Sequence, residues 1–125
     1  DSHALHWYCW IYPYDCTTTG QCIAASILAG DAGVWANNNY GFDPNMLDAA
    51  RHVWWSLRMA EEIGQCAAKQ IADAYEVDEI NTDAERYKDL YNNKVGRELA
   101  NQPGTVEERI ASAFANGTIH TVDGC

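Results

Sequence analysis

The segment DPNMLDAARHVWWSLRMAEE, from Asp43 to Glu62, decides the fold of this chain. Asp43 is a good helix cap, and Pro44 suits a first helical turn, where its missing N–H is not needed. Two sets of residues follow at helical spacing on neighbouring sides of one helix: Leu47, Ala50, Trp54, Leu57 and Glu61 on one, Asp48, His52, Trp55 and Met59 on the other. The segment therefore predicts a long amphipathic helix, which we expect to break or kink at Gly64.

Capping and turn signals predict helices on both sides of this segment. Upstream, Thr17 to Thr19 can cap a helix that stops at Gly30, followed by a short helix or turn over 31–38 and a loop over 37–41. Downstream, a helix runs to about Val77, capping boxes over 82–85 and 105–108 open two more, and the tail 118–125 is a strand or an extended arm. The predicted architecture is all-α, a compact bundle of five or six helices with an aromatic N-terminal arm.

Length and charge limit the classes of function. A chain of 125 residues is one domain that buries roughly two-thirds of its unfolded surface; we divide domain 1–125 into arm and first helices, 1–43, and a helical core with the motifs, 44–125. The net charge of −10, with 8 scattered basic residues, disfavours nucleic acid as a partner. No apolar run approaches the ~20 residues of a membrane span.

Cysteine usage indicates an oxidising compartment. Three of the five cysteines lie near the aromatic residues of the arm, so we expect one or two disulfides that pin the arm to the helices: the five are Cys9, Cys16, Cys22, Cys66 and Cys125. The alternative is that the cysteines are reduced and act as small buried apolar residues. Without Cys-x-x-Cys pairs or suitable histidine spacing, we expect no metal and no other cofactor.

A polar face on the helix after Glu85 is the first candidate site. Asp89, Asn92 or Asn93, Gly96 and Arg97 share one side by the i, i+3, i+4 rule. Asn is a poor helix former, and Gly costs about 1 kcal/mol relative to Ala inside a helix. We interpret this face as the wall of a substrate groove, with Gly96 admitting a second helix. The alternative is that Asn and Arg only cap neighbouring helix ends.

His52 is the strongest candidate for proton transfer, because its unperturbed pKa near 6.5 suits general acid–base catalysis. Asp48, one turn earlier, can orient its ring, and Trp55 can exclude water. The alternative is a core histidine that bonds a carbonyl. Glu76 continues a stripe of small residues (Gly64, Ala68, Ala72), so we expect it to point inward as a candidate carboxylate, with Asp73 nearby.

The motifs Arg51-His52-x-x-Trp55 and Asp89-Leu90-x-Asn92-Asn93-x-x-Gly96-Arg97, with Gly64, Asp73 and Glu76 between them, resemble those of a helical domain of unknown function. That domain occurs at the C-terminal ends of bacterial secreted and surface proteins, including Rhs-type and polymorphic-toxin chains. The resemblance covers roughly residues 48–100, and it departs from the pattern at Tyr75, where the family tends to have a histidine. It implies a secreted, antibacterial setting and a cognate immunity protein as partner.

These features together predict a secreted bacterial toxin or effector domain that hydrolyses a cell-envelope component, peptidoglycan or its lipid-linked precursor, extracellularly or in the target periplasm. His52 is the acid or base, with Glu76 or Asp89 as the complementary carboxylate. The expected substrate-binding residues are Arg51, Trp55, Asp73, Asn92, Asn93 and Arg97. The alternatives are a non-enzymatic module that binds envelope or protein, and a metal-dependent nuclease toxin.

Overall fold

A computed structural model describes residues 18–78 and 82–121 of the chain. Over these residues it has five helices and no strand: α1 Thr19–Tyr40, α2 Pro44–Ile63, α3 Gln65–Asp78, α4 Asp83–Leu99 and α5 Val106–Ala115. α2 is the central helix, and it packs against all four others, most extensively against α1 and α4. The predicted all-α bundle is therefore confirmed.

Most of the predicted helix boundaries are confirmed, because they depend on local contacts. The Asp43 carboxylate accepts hydrogen bonds from the backbone N–H groups of the first turn of α2. Gly64 ends that helix with a φ of 91°, which favours glycine. Thr82 and Thr105 cap α4 and α5 through their side-chain oxygens. Each of these signals acts within about four residues, so the sequence contains it directly.

The first helix departs from the prediction. α1 runs without a break through Gly30 and the Asn-rich segment to Tyr40, so the predicted stop at Gly30, the separate short helix and the loop over 37–41 are wrong. The reason is a continuous buried stripe at helical spacing, which packs in the core: Cys22, Ala25, Leu28, Ala32 and Ala36. Burial of this stripe outweighs the roughly 1 kcal/mol that each glycine costs inside a helix.

Alanines and a few large side chains make up the core between the helices. Val53, Leu57 and Met59 of α2 and Ile71 of α3 are almost fully buried. Trp54 stacks on Trp35 of α1, with ring centroids 6.0 Å apart. Small residues between these large ones let the helix backbones approach closely, which brings the polar side chains of three helices together.

The predicted aromatic arm lies outside the described residues, so its structure and its pinning by disulfides stay predictions. Neither Cys22 nor Cys66 is a free thiol.

Residues 118–121 of the tail form no strand and lie along α4, where the amide of Asn92 bonds both the N–H and the carbonyl of His120. No helix in the described part of the chain has the length and apolarity to cross a membrane.

Candidate functional site

His52 lies at the centre of a buried polar cluster formed by α2, α3 and α4. Its side chain is 5% exposed, and Nδ1 lies 3.2 Å from Oε1 of Glu76 on α3. Nε2 lies 3.5 Å from Oδ1 of Asp89 on α4 and 3.7 Å from Oδ1 of Asp48, one turn earlier on α2. The structure thus brings together the three residues predicted to be catalytic and the carboxylate expected to orient the ring.

Small residues on α3 and α4 allow this approach. Gly96 lies directly against α2, and Ala68 and Ala72 are fully buried on α3, two turns and one turn before Glu76. The predictions that Gly96 admits a second helix and that Glu76 points inward are confirmed. Gly64 was wrongly placed in the small-residue stripe: it is exposed, with no atom within 4 Å of a Cβ built on it.

Lys88 adds a cation that the sequence analysis missed. Its Nζ lies 2.9 Å from Oδ2 of Asp48 and 3.4 Å from Oδ1 of Asp89, and its side chain is 11% exposed. Burial would lower the pKa of Lys88, but the hydrogen bond from its ammonium to Asp48 and the charges of both carboxylates outweigh burial and raise it. Lys88 precedes the buried Asn92 by one helical turn, and this spacing is the signal that could have found it.

Burial and the surrounding charges together set the protonation states of His52 and Asp48. Burial lowers the pKa of His52 below 6.5, and Asp89 and Asp48 oppose this only in part, while Arg51 and Lys88 add to it. Burial would raise the pKa of Asp48, but the charge of His52 and the hydrogen bonds from Lys88 and Arg51 lower it from 3.8 to about 2. Near pH 7 the site therefore holds a neutral imidazole beside an ionised Asp48.

A cavity of about 350 Å³ opens beside His52. Arg51, Trp55 and Tyr75 line it, together with four small residues of α1: Ala29, Gly30, Ala32 and Gly33. The Trp55 ring meets the Tyr75 ring edge-on, with centroids 5.4 Å apart, and its indole N–H donates to the carbonyl of Ala25 at 2.9 Å. This volume is within the range of small-molecule sites.

Sequence reasoning found part of the cavity wall. It predicted Arg51, His52 and Trp55, and it missed the two glycines of α1: it interpreted Gly30 as a helix stop and did not single out Gly33. Tyr75 occupies the position at which the resembled pattern has a histidine, so the departure in sequence falls in the wall of this cavity. A Cβ atom at Gly30 or Gly33 would have no other atom within 4 Å, so both glycines face open space on the α1 side of the cavity.

The other predicted substrate-binding residues are not among the described residues that line the cavity. The amide of Asn92 is bonded to the tail at His120, which is a structural role. Asp73 forms a surface ion pair with Lys69. Burial lowers the pKa of Arg97 at the far end of α4, and the charge of Asp73 partly opposes this.

Asn93 is buried in the interior and is not among the described residues that line the cavity. It follows Asp89 by one turn of α4, is fully buried, and its amide has no hydrogen-bond partner among the described residues. The predicted single groove therefore divides into a cavity at Arg51 and Trp55 and a buried polar interior at Asn93 and Arg97.

Asp48, His52 and Asp89 also meet the geometric requirement of a metal site, since their ligand atoms lie within 4.8 Å of one another. Carboxylate and imidazole are ordinary ligands of divalent cations. Glu76 beside the other ring nitrogen is typical of the outer partner of a ligating histidine. Lys88, however, already places a positive charge against both aspartates, so a metal would compete with its ammonium group.

The fold and the site define a small all-α protein with a buried histidine set among carboxylates in the wall of a cavity. The chain belongs to the family DUF6973, described as a domain of unknown function, whose model matches residues 9–121. Neither a curated protein nor a solved structure matches the chain significantly. The family description makes no link to Rhs-type or polymorphic-toxin chains, so that setting stays a prediction.

Proposed function

We propose that this chain is a hydrolase that uses His52 for proton transfer and acts on a component of the bacterial cell envelope, peptidoglycan or its lipid-linked precursor. One observation carries the enzymatic part: a buried histidine between Glu76 and Asp89 in the wall of a cavity of about 350 Å³. The envelope substrate, the secreted setting and the toxin role rest on the acidic, cysteine-containing sequence and its resemblance alone.

In this mechanism the Glu76 carboxylate, 3.2 Å from Nδ1, favours the tautomer that keeps its proton on Nδ1, which leaves Nε2 as the base. A water molecule that attacks the substrate in the cavity gives its proton to Nε2. Asp89 and Asp48, at 3.5 and 3.7 Å, stabilise the imidazolium that forms. The imidazolium then returns the proton to the leaving group, which restores neutral His52. A pKa lowered by burial supports this role, since a general base must be unprotonated at rest.

The remaining wall residues bind and exclude water. The Arg51 side chain is 41% exposed at the rim and bonds Asp48 at 2.9 Å, so its other guanidinium N–H groups can bind an anionic group or a developing oxyanion. Trp55 and Tyr75 supply the apolar wall against which the body of the substrate packs. A substrate with an apolar body and one anionic or polarised group at the scissile bond fits this lining.

Purified protein incubated with peptidoglycan or its lipid-linked precursor tests the proposal. Wild type should release soluble fragments, and His52→Gln and Glu76→Gln should slow this by about 10²–10⁴-fold. Glu62→Gln is the matched control, because Glu62 is an exposed carboxylate paired with Arg58 on the same central helix. Absence of turnover of both substrates by wild type, or full activity of His52→Gln, would overturn the proposal.

The compartment in which the expressed protein inhibits growth distinguishes an envelope substrate from an intracellular one. Expression with a periplasmic signal should inhibit growth, and expression without one should not. Killing only from the cytoplasm would contradict the envelope substrate.

A metal-dependent hydrolase is the second candidate, favoured by the spacing of Asp48, His52 and Asp89. In that case a chelator should abolish activity and a divalent cation should restore it. Proton transfer by His52 without a metal predicts full activity in chelator. The cation already supplied by Lys88 is the reason for placing the metal-free mechanism first.

A further inference from the structure

The cavity at His52 continues into a second surface depression. Gly33 and Arg51 line both the cavity and a shallower depression of about 580 Å³, whose wall also includes Leu47 and Asp48. Because two residues are shared, the two spaces adjoin along α1 and α2. A ligand longer than the cavity can therefore extend from His52 across Arg51.

A third cavity lies beyond Asp48. Asp48 accepts the hydrogen bond of Lys88 at 2.9 Å, and Lys88 lines a mostly apolar cavity of about 310 Å³ with Tyr87, Tyr91 and His120. The hydrogen bond thus links a wall residue of the second depression to a wall residue of the third. The walls of the three spaces are drawn largely from α1, α2 and α4, and His52 lies in the wall of the first.

We propose that the three depressions form one groove that binds an extended glycan strand, with Tyr87, Tyr91 and His120 as a remote aromatic subsite. This inference rests on the proposed function for the choice of an envelope glycan. It goes beyond that function by naming the polymer class and a subsite that lies apart from the reacting centre.

The aromatic subsite has the chemistry of a sugar platform. Tyr87 and Tyr91 lie one turn apart on α4 and are 75% and 39% exposed. The His120 ring lies 4.3 Å from the Tyr91 ring, measured between centroids. Aromatic rings with a polar edge suit partners that are apolar on one side and wet on the other, as the C–H faces and hydroxyl groups of a sugar are. The net charge of −10 disfavours polyanionic strands.

The subsite is also held rigidly, as a binding platform requires. Tyr87 and Tyr91 stand on a regular helix, and the backbone of His120 is fixed by two hydrogen bonds to the buried amide of Asn92, at 2.8 and 3.0 Å. The reciprocal pair explains why a fully buried asparagine on α4 faces the tail rather than the cavity. Its role is to place the His120 ring beside Tyr91.

Binding of soluble N-acetylglucosamine oligomers of increasing length, measured by calorimetry on the whole chain, tests the groove. His52→Gln serves as the background, so that turnover does not consume the ligand. Affinity should rise with oligomer length, and the double variant Tyr87→Ala, Tyr91→Ala should weaken binding of the longest oligomer by roughly tenfold. Tyr87→Ala alone, at an exposed position, should fold normally and show part of this loss.

Phe42→Ala is the matched control, because Phe42 is an aromatic residue 77% exposed and is not among the described residues that line the groove. It should bind like the background. The groove would be overturned if affinity were independent of oligomer length or if Phe42→Ala lost as much affinity as the tyrosine variants. It would also be overturned if the peptide part of peptidoglycan bound and the sugar oligomers did not. Tyrosine-dependent, length-dependent binding without turnover by wild type would support the groove and remove the hydrolase instead.

Discussion

Gly96 of α4 lies directly against the backbone of Val53 on α2. A Cβ atom on Gly96 would stand 2.4 Å from the carbonyl oxygen of Val53 and 2.9 Å from Cβ of Ser56. Val53 is the neighbour of His52 in the chain, and Asp89 precedes Gly96 by about two helical turns. The approach that only glycine allows therefore also sets the 3.5 Å separation of His52 and Asp89.

Replacement of Gly96 by alanine should destabilise the fold, although alanine is the better helix former. The added methyl group overpacks the contact with α2, which typically costs about 1–3 kcal/mol. Gly30→Ala is the control, since a Cβ there meets nothing within 4 Å and helix propensity should stabilise it by up to about 1 kcal/mol. Urea unfolding measures both, and equal stabilities would show that the α2–α4 contact is looser than the structure has it.

Replacement of Asn92 by alanine should detach the tail from α4. It removes both hydrogen bonds to His120 and leaves those peptide groups without their partner, which should lower the free energy of unfolding by about 1–3 kcal/mol. Hydrogen exchange at the His120 amide should quicken. Asn39→Ala removes one exposed bond to the carbonyl of Trp35 and should stay within about 0.5 kcal/mol of wild type. Unchanged hydrogen exchange at His120 in Asn92→Ala would show that Asn92 does not hold the tail on α4.

Asp48 should contribute acid sensitivity to the fold. Its pKa is about 2 in the folded protein against an ordinary value of 3.8, so the unfolded chain takes up the proton first as the pH falls. The stability that Asp48 contributes is complete above pH 3.8 and is lost between that pH and about 2. Unfolding free energies from pH 6 down to about 2 should therefore fall less steeply in Asp48→Asn. Asp31→Asn, on the exposed surface of α1, should retain the steeper fall of wild type.

Replacement of Lys88 by methionine should raise the pKa of His52. Lys88 is one of the charges that lower it, while Asp89 and Asp48 raise it, so removal of the cation shifts the balance toward the imidazolium. An NMR titration of the His52 ring measures the change. Lys69→Met, which removes a surface lysine paired with Asp73, should leave the titration unchanged. A lower His52 pKa in Lys88→Met would refute the arrangement of charges described above.

The same Lys88→Met variant should gain affinity for divalent cations. Without the ammonium group, Asp48 and Asp89 both lie near Nε2 of His52, with ligand atoms of the three residues within 4.8 Å of one another, a spacing that a cation can bridge. Calorimetry with Mn²⁺ and Zn²⁺ should show tighter binding to the variant than to wild type. Tight binding to wild type with Lys88 in place would instead favour the metal-dependent mechanism.

Local signals in the sequence predicted most of the helix boundaries, because caps such as Asp43, Thr82 and Thr105 act on backbone groups of the next turn. The inward direction of Glu76 followed from the small residues one and two turns before it. The prediction failed at Gly30, where propensity and turn chemistry indicated a stop. The buried alanine stripe of α1 overrides that weak local preference, and its partner α2 lies in another part of the chain.

The sequence by itself determined the all-α class, the helix that carries His52, and the polar face of α4. Only the tertiary structure decided which residues of that face meet His52. Adjacent helical positions point about 100° apart, so Asn92 faces the tail while Asn93 faces the interior, a choice that spacing left open. The Asp48–Lys88 bond joins residues 40 positions apart, and it depends on how α4 crosses α2. That crossing is set by packing at Gly96 and by the core as a whole, and no local pattern encodes it.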